Sequence, residues 1–320
     1  RLRVHRNLNW YNPAGWLRAG ISTPGDLLHA QWWSLPLAPV YLTVCAAFRQ
    51  RRKPVVITVH NALPHETSQA YIEASRVLFA LGDHFIVHTE QNRRQLASHY
   101  RIPESRISRI PHGTLDFQAR GGSFDGGSLR DALGIPPEER LVLLFGAIRP
   151  YKGIETALQA LAKVRQTLPK VRLLIAGKLW GEWAPYHRRI QELGLADHVT
   201  TVLEYIPSGE VHRFFRAADL VILPYHHFDS QSGVGSTAVS FRKPMIVSNV
   251  GGLPDLVRNP ACVVPPRDPA ALARAIRYCL QDPARLAALS LDADNISNNF
   301  SWEAIAKKTF LVYERIYKKL

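Results

Sequence analysis

The sequence has few cysteines and no long apolar run. Its three cysteines, Cys45, Cys262 and Cys279, are far apart and lie in apolar surroundings, which predicts buried thiols of a reducing compartment. No stretch reaches the roughly 18 uninterrupted apolar residues that a membrane span needs. The longest candidate, residues 35–48, is interrupted by two prolines and predicts a buried helix. We therefore expect a cytoplasmic protein.

Acidic residues are also scarce, since 26 Asp and Glu face 40 Lys and Arg and the net charge is +14. Residues 1–120 carry 15 basic against 7 acidic side chains, so positive charge is concentrated in the first part of the chain. This asymmetry suits an anionic membrane surface, a phosphorylated acceptor or a nucleic acid, although a uniformly basic proteome explains it equally well. No recognised nucleic-acid-binding module is present, which argues against a nucleic-acid partner.

The length of 320 residues predicts two domains, each large enough for its own core. Apolar runs alternate with segments of helical spacing, and four of the runs lie at residues 140–145, 171–176, 220–223 and 245–248. Short continuous runs of this kind predict the buried strands of a parallel sheet. Residues 118–127, with the sequence QARGGSFDGG, contain four glycines and predict a linker between the domains.

A small-residue loop, SQSGVGS, follows the predicted strand at residues 220–223. A strand that ends in such a loop and opens into a helix makes an anion site, because the N–H groups of the first helical turn point at the ligand. Glycines also let the backbone approach a ligand closely. The residues that carry this prediction are Ser232, Gly233, Val234, Gly235 and Ser236. Ligands of open α/β sheets bind at this edge.

The loop GAIRPYKG follows the predicted strand at residues 140–145. It combines two cations, Arg149 and Lys152, with two glycines, Gly146 and Gly153. Paired cations beside glycines at a strand end are typical of an anion site at a helix N-terminus. The alternative is a solvated basic loop.

A third polar loop, HNALPHE, occupies residues 60–66 and follows a predicted strand at residues 54–59. Two histidines, an amide and a carboxylate within seven residues at a strand end predict a site. His60 and His65 are five positions apart in a loop, which is not a strong spacing for metal ligands, and we expect no metal there.

These motifs resemble segments of the family-4 glycosyltransferases of GT-B fold. RKPMI at residues 242–246, followed by GGLPD at residues 251–255, resembles the family pattern G-K-P-V-V and G-G-x-x-E. HNALPHE and SQSGV resemble a bacterial subset of that family. The resemblance spans nearly the whole chain and implies an α/β protein with two Rossmann-like domains that face a cleft.

The resemblance also implies domain boundaries. Residues 1–117 are expected to form an acceptor-side domain that lacks, at its N-terminus, about two βα units or on the order of 60 residues. Residues 118–300 would form the nucleotide-sugar-binding domain, and residues 301–320 a final helix that crosses back to the first domain. Within the second domain, residues 283–291 predict a helix.

In the family, a glycine loop with two cations holds the diphosphate of the donor. Gly146, Lys152 and Gly153 match the spacing of that loop, and Arg149 lies two positions after the family's arginine. Because the diphosphate leaves with developing negative charge, cations at this place stabilise the transition state. The loop amides at residues 232–236 are expected to support the same group.

Other family positions carry expected roles. His60 matches a histidine beside the donor sugar, and Tyr205 and Ile206 match residues that border the nucleotide base. Asp229 and Thr237 stand where the family has two glutamates, and Asp229 is expected to accept a hydrogen bond from a sugar hydroxyl. His60 and Asp229 are therefore the candidate catalytic residues. Candidates for acceptor or sugar contacts are Asn61, His65 and Glu66.

The predicted function is a glycosyltransferase that moves a sugar, with retention of configuration, from a UDP- or GDP-linked donor to a glycan or lipid-linked acceptor. No metal or further cofactor is expected, and the basic first part of the chain predicts peripheral attachment to the inner membrane face. The alternative is a non-catalytic nucleotide-sugar-binding or scaffolding relative, because Thr237 stands where a glutamate is expected. Trp180 and Trp183 either stack on a sugar or pack in the core.

Overall fold

A computed structural model describes residues 4, 8–63, 69–113, 126–228 and 231–318. The chain divides into two units, of which the first comprises Arg1–Pro111 with Ile305–Leu320 and the second comprises His112–Ala304. Most of the predicted linker, residues 118–127, lies outside the described part of the chain. Each unit is built around its own parallel sheet, so the predicted α/β architecture is confirmed.

The first unit has a four-stranded sheet with the order β1-β2-β3-β4, and neighbouring strands are parallel. Trp32 lies opposite Val59, and Val59 lies opposite Val87. The residues that follow these three strands therefore gather at one edge of the sheet. The strands are β1 Leu28–Trp32, β2 Val55–Val59, β3 His84–Val87 and β4 Ile107–Arg109.

Helices cover this sheet because their apolar residues are spaced for one buried face. The predicted buried helix at residues 35–48 is confirmed as Ala38–Arg49, preceded by a 3₁₀ turn, and Cys45 and Phe48 are buried in it. Ile305 of the C-terminal helix packs in the same cluster as Val56 and Ile86 of the sheet. The helices are α1 Pro13–Ser22, α2 Ala38–Arg49, α3 Gln69–Phe79 and α4 Glu90–Tyr100.

The second unit has a six-stranded parallel sheet with the order β7-β6-β5-β8-β9-β10. Chain order along the sheet runs outward from β5 in one direction and from β8 in the other, so the topological switch point lies between these two strands. Ligands of doubly wound folds bind at the carboxyl edge of such a point. The strands are β5 Arg140–Phe145, β6 Val171–Ala176, β7 Val199–Val202, β8 Leu220–Leu223, β9 Met245–Ser248 and β10 Val263–Val264.

Both faces of this sheet are buried. Successive side chains of a strand point to opposite sides, so Leu143 of β5 belongs to one core cluster and its neighbour Leu144 to the other. The helices of the second unit are α5 Gly126–Ala132, α6 Ile154–Arg165, α7 Ala184–Glu192, α8 Val211–Ala217, α9 Gly233–Ser240, α10 Pro269–Leu280 and α11 Pro283–Asn299. The C-terminal helix, α12 Trp302–Tyr317, belongs to the first unit from Ile305 onward.

Helix α11 is longer than predicted. The expected end at residue 291 is wrong, because the helix continues to Asn299. Its last turns bury Ala293 and Ile296, and this tertiary packing holds a polar segment in helical form. All three cysteines are buried, as predicted. Within the described residues, no helix combines the length and the apolarity needed to cross a membrane.

Candidate functional site

Two loops meet at the switch point of the second unit, one after β5 and one after β8. The backbone N–H of His226 donates to the carbonyl oxygen of Tyr151 at 2.7 Å. Gly153 has a φ of 72°, and a Cβ added to it would overlap the carbonyl oxygen of Pro224. Only glycine fits there, because the left-handed conformation and the close backbone approach both exclude a side chain.

The loop after β5 also reaches the first turn of α9. Gly146 has a φ of 99°, and a Cβ at this position would lie 2.8 Å from Cγ2 of Val234 and 3.7 Å from Nζ of Lys152. Residues from two sequence-predicted motifs, the glycine loop and the SQSGVGS loop, are therefore neighbours. The structure brings Gly146, Lys152, Gly153 and Val234 together in one place.

The centre of this place is the buried ammonium group of Lys152, a residue that is only 5% exposed. Its Nζ donates to the hydroxyl of Tyr225 and lies 4.1 Å from the centroid of the Tyr225 ring. The Tyr225 hydroxyl lies 3.4 Å from Oγ of Ser232. Burial raises the pKa of Tyr225, so the phenol stays neutral and accepts from the ammonium. Lys152, Tyr225 and Ser232 form one buried polar chain.

Burial lowers the pKa of Lys152 to about 8, and the neighbouring charge of Arg149 acts in the same direction. Among the described residues, the groups that shift this pKa include no carboxylate. A buried ammonium without a counter-ion is costly, and an anion bound beside it would compensate that cost. The geometry therefore suits an anionic ligand at the switch point.

The first turn of α9 supplies backbone donors next to this ammonium. Ser232 caps the helix, because its Oγ accepts from the N–H of Gly235 at 3.2 Å and its carbonyl oxygen accepts from the N–H of Ser236 at 2.9 Å. Among the described residues, the N–H groups of Gly233 and Val234 have no acceptor. These two amides, with the positive end of the helix dipole, are the donors available to a ligand.

Gly233 and Gly235 are glycines for different reasons. A Cβ at Gly233 would meet no atom of the described residues within 4 Å, whereas a Cβ at Gly235 would overlap Cδ1 of Leu256. Packing therefore explains Gly235, and open space for a ligand remains at Gly233.

Thr237 is buried and its hydroxyl donates to the carbonyl oxygen of Gly233 at 2.9 Å. Asp229 lies outside the described residues, so its expected role stays a prediction.

Arg149 is exposed and lies against an aromatic ring. Its guanidinium carbon is 4.6 Å from the ring centroid of Trp180, and Nζ of Lys178 is 5.3 Å from the same ring. Backbone hydrogen bonds between Ile148 and Lys178 (2.8 Å) and between Trp180 and Ile148 (2.9 Å) hold the two loops together. Trp180, which is 51% exposed, therefore carries two cations on its ring.

The other predicted residues of the second unit lie further along the same edge. Tyr205 and Ile206 follow β7, and Tyr205 is 68% exposed while Ile206 packs against a core cluster. Trp183 packs against the other core cluster and lies 5.3 Å from the ring of Tyr186. The sequence left two roles open for Trp180 and Trp183, stacking on a sugar or packing in the core. Trp183 packs in the core, whereas Trp180 is exposed to solvent.

His60 and Asn61 lie in the first unit, after β2. The ring of His60 stacks on Trp33 with centroids 3.7 Å apart, and its Nε2 lies 2.9 Å from Oε1 of Gln31. The side-chain amide of Asn61 donates to the carbonyl oxygen of Trp33 at 3.2 Å. His60 is thus held at the carboxyl edge of the first sheet. His65 and Glu66 lie outside the described residues.

Sequence reasoning did not identify His88 as a site residue. Its Nε2 lies 3.1 Å from Nδ1 of His60, and its Nδ1 lies 2.9 Å from the carbonyl oxygen of Ile110. The signal was available, because both histidines follow neighbouring parallel strands, β2 and β3, directly at their carboxyl ends. Predicted site residues therefore fall into two groups, one in each unit.

Two family models match the chain. Residues 127–296 match the model of glycosyl transferases group 1, and residues 3–114 match the model of glycosyltransferase family 4. The first match alone covers more than half of the chain.

Curated relatives match more than two thirds of the chain. A D-inositol 3-phosphate glycosyltransferase of Segniliparus rotundus is 31% identical over 234 residues, which cover 72% of this chain and 51% of the relative. A protein of the same name from Rhodococcus opacus is 30% identical, with coverage of 71% and 52%. The chain spans about half the length of these relatives.

Solved structures share the fold. The HepE protein of Anabaena in complex with UDP has a TM-score of 0.76 at 20% identity and covers 91% of this chain and 79% of its own. The sucrose-phosphate synthase of Thermosynechococcus elongatus has a TM-score of 0.69 at 24% identity, with coverage of 92% and 74%. These similarities establish the same two-domain α/β fold for this chain.

Proposed function

The chain belongs to the glycosyl transferases group 1 family and has the GT-B fold, and from this premise we propose that the protein transfers a sugar from a nucleotide-sugar donor to an acceptor. The observation that carries the proposal is the buried ammonium of Lys152 beside the first turn of α9. It lies at the switch point with two backbone N–H groups nearby, and no carboxylate in the described part of the chain is among the groups that shift its pKa. A diphosphate group has the charge and the oxygen acceptors that such a place requires.

Arg149 and Lys152 hold the diphosphate in this proposal, together with the amides of Gly233 and Val234. The two cations differ in exposure, since Lys152 is buried and Arg149 is exposed on Trp180. Lys152 thus provides a fixed charge, and Arg149 provides a planar donor group that closes over the ligand from the solvent side. Both charges stabilise the negative charge that develops on the leaving diphosphate.

Other predicted residues are proposed to contact the sugar and the base of the donor. For the donor sugar, the candidate contacts are His60, which Trp33 and His88 orient, and Asp229. Tyr205 and Ile206 border the base. The bond between the anomeric carbon and the diphosphate oxygen breaks, and the diphosphate keeps the electron pair. The oxygen of the acceptor hydroxyl bonds to the anomeric carbon with retention of configuration, and its proton passes to the leaving diphosphate.

UDP is the first donor nucleotide to test, because the HepE structures contain UDP and UDP-glucose, and GDP is the second. For the acceptor, the basic first part of the chain favours a glycan or lipid-linked molecule at an anionic membrane surface. The names of the curated relatives add inositol 3-phosphate as a second acceptor to test. No metal takes part in this proposal, since the two cations supply the positive charge.

The proposal is tested by the release of nucleoside diphosphate from UDP-, GDP- and ADP-sugars, with acceptors present and with EDTA in a parallel series. We expect release from one nucleotide class, unchanged by EDTA and lowered at least tenfold in Arg149→Ala. An exposed arginine outside the site, Arg188, provides the control Arg188→Ala. Donor binding without any release would favour the alternative, a non-catalytic sugar-nucleotide-binding relative.

A further inference from the structure

The second unit has a cavity of about 550 Å³ at the amino edge of its sheet. Its lining includes Arg140 at the start of β5, Asp219 just before β8 and Lys243 just before β9. The strands are parallel, so this edge is opposite the carboxyl edge that carries Lys152. The cavity is therefore separate from the candidate donor site and has no role in the function proposed above.

Positive charge dominates the lining, which contains five cations and one acid. Asp219 is shared by two of the cations, because its carboxylate lies 2.8 Å from Arg130 and 3.4 Å from Arg140. A third cation, Arg242, pairs at 2.5 Å with Asp294, which lies outside the lining. Among the described residues, two carboxylates are thus shared by three of the five cations. The cations are Arg130, Arg140, Arg216, Arg242 and Lys243.

No carboxylate of the described residues forms an ion pair with Lys243, although the nearby charge of Asp219 favours its charged form. Its Nζ donates to the carbonyl oxygens of Ala218 at 2.8 Å and Arg216 at 3.2 Å. An ammonium group has three donors, and these two bonds use two of them. Burial lowers the pKa of this group, because uncharged carbonyls replace water only in part, and the charge of Asp219 offsets that shift only in part. An anion in the cavity would add the negative charge that Asp219, which Arg130 and Arg140 share, supplies only in part.

We propose that this cavity binds an anion that carries phosphate and has no aromatic base. Guanidinium groups match phosphate oxygens with paired donors, and the volume lies in the range of about 300–1,000 Å³ that is usual for small-molecule sites. Apart from the six charged residues, the described lining residues are small or aliphatic, such as Ala217, Leu286 and Ala287. None is aromatic, so a nucleobase would find no ring to stack on. A soluble sugar phosphate and a phospholipid headgroup share the required chemistry.

The test places one carboxylate in the cavity. Ala287 and Ala288 are neighbours on α11 and both are exposed, but only Ala287 lines the cavity. Ala287→Glu and Ala288→Glu therefore change the charge equally and differ only in position. Both are made in the Arg149→Ala background, which weakens anion binding at the donor site. Inorganic pyrophosphate is titrated in one arm, and vesicles of phosphatidylglycerol or phosphatidylcholine are used in the other.

We expect Ala287→Glu to weaken binding at least fivefold and Ala288→Glu to leave it unchanged. Loss of pyrophosphate binding identifies a soluble phosphate ligand, and loss confined to phosphatidylglycerol vesicles identifies a lipid headgroup. A second pair, Arg140→Gln with the exposed control Arg274→Gln, repeats the test without touching α11. Equal binding by all variants, or no binding in either arm, would overturn the proposal.

Discussion

Replacing Lys152 with methionine should make the protein more stable at pH 7. Burial holds the pKa of Lys152 at about 8 instead of the ordinary 10.5, and at 1.36 kcal/mol per pKa unit this difference costs the folded state about 3 kcal/mol. Methionine removes the charge but also the hydrogen bond to Tyr225, which is worth about 1 kcal/mol. The net gain is about 2 kcal/mol, or about 4–8 °C in Tm for a domain of this size.

The pH dependence gives the sharper test. The unfolded chain binds the Lys152 proton more tightly than the folded chain, so the stability of the wild type rises between about pH 8 and 10.5. The advantage of Lys152→Met should therefore be complete at pH 7 and shrink as the pH approaches 10.5. Melting curves at pH 7, 8, 9 and 10 measure it, with Lys178→Met as the exposed control, for which a shift below about 2 °C is expected. A variant that melts at or below the wild type at pH 7, or an advantage independent of pH, would refute the reasoning.

Three further predictions follow from the same contacts. Gly153→Ala should lower the free energy of unfolding by more than about 2 kcal/mol in a denaturant titration, because the added Cβ overlaps the carbonyl of Pro224. Gly194 has a similar φ of 63° but open space around it, so Gly194→Ala should lower the free energy of unfolding by only about 1 kcal/mol. Trp180→Ala should weaken donor binding about two- to fivefold by calorimetry, and Trp180→Phe should restore part of it. Binding of a nucleoside diphosphate should weaken about tenfold between pH 7 and pH 9 as Lys152 loses its proton, and Lys152→Arg should abolish that dependence.

Each of these predictions has a clear contradicting result. Equal losses in Gly153→Ala and Gly194→Ala would show that the close approach of the two loops is not rigid. Donor affinity that is the same with alanine and tryptophan at position 180 would remove the aromatic ring from the binding of Arg149. A flat binding profile between pH 7 and pH 9 would mean that Lys152 does not contact the anion.

Much of the second sheet could be predicted from local sequence. The strands β5, β6, β8 and β9 have the predicted bounds, because each is a short apolar run between turn residues and needs no distant information. Helix α11 could not be bounded in this way. Its last residues are polar, and they are helical only because Ala293 and Ile296 find partners elsewhere in the fold.

The sequence predicts which residues belong to the candidate site, but not which of them are buried or which side chains they contact. Lys152 stands in a loop that looks exposed in the sequence, and it is buried because Tyr225, 73 positions later, covers it. Similarly, the ring that carries Arg149 belongs to the next βα loop. The pKa of Lys152 depends on these long-range contacts, so no local pattern indicates it.

The most direct test of the account is a calorimetric titration of UDP, GDP and ADP at pH 7 into the wild type, Arg149→Ala and the control Arg188→Ala. Because a hydrogen bond to a charged group contributes about 1.5–3 kcal/mol, we predict that one nucleotide binds and that Arg149→Ala binds it at least tenfold more weakly, while Arg188→Ala matches the wild type. Absence of binding by all three nucleotides, or equal binding by Arg149→Ala and the wild type, would contradict the assignment of the donor diphosphate to the switch point of the second sheet.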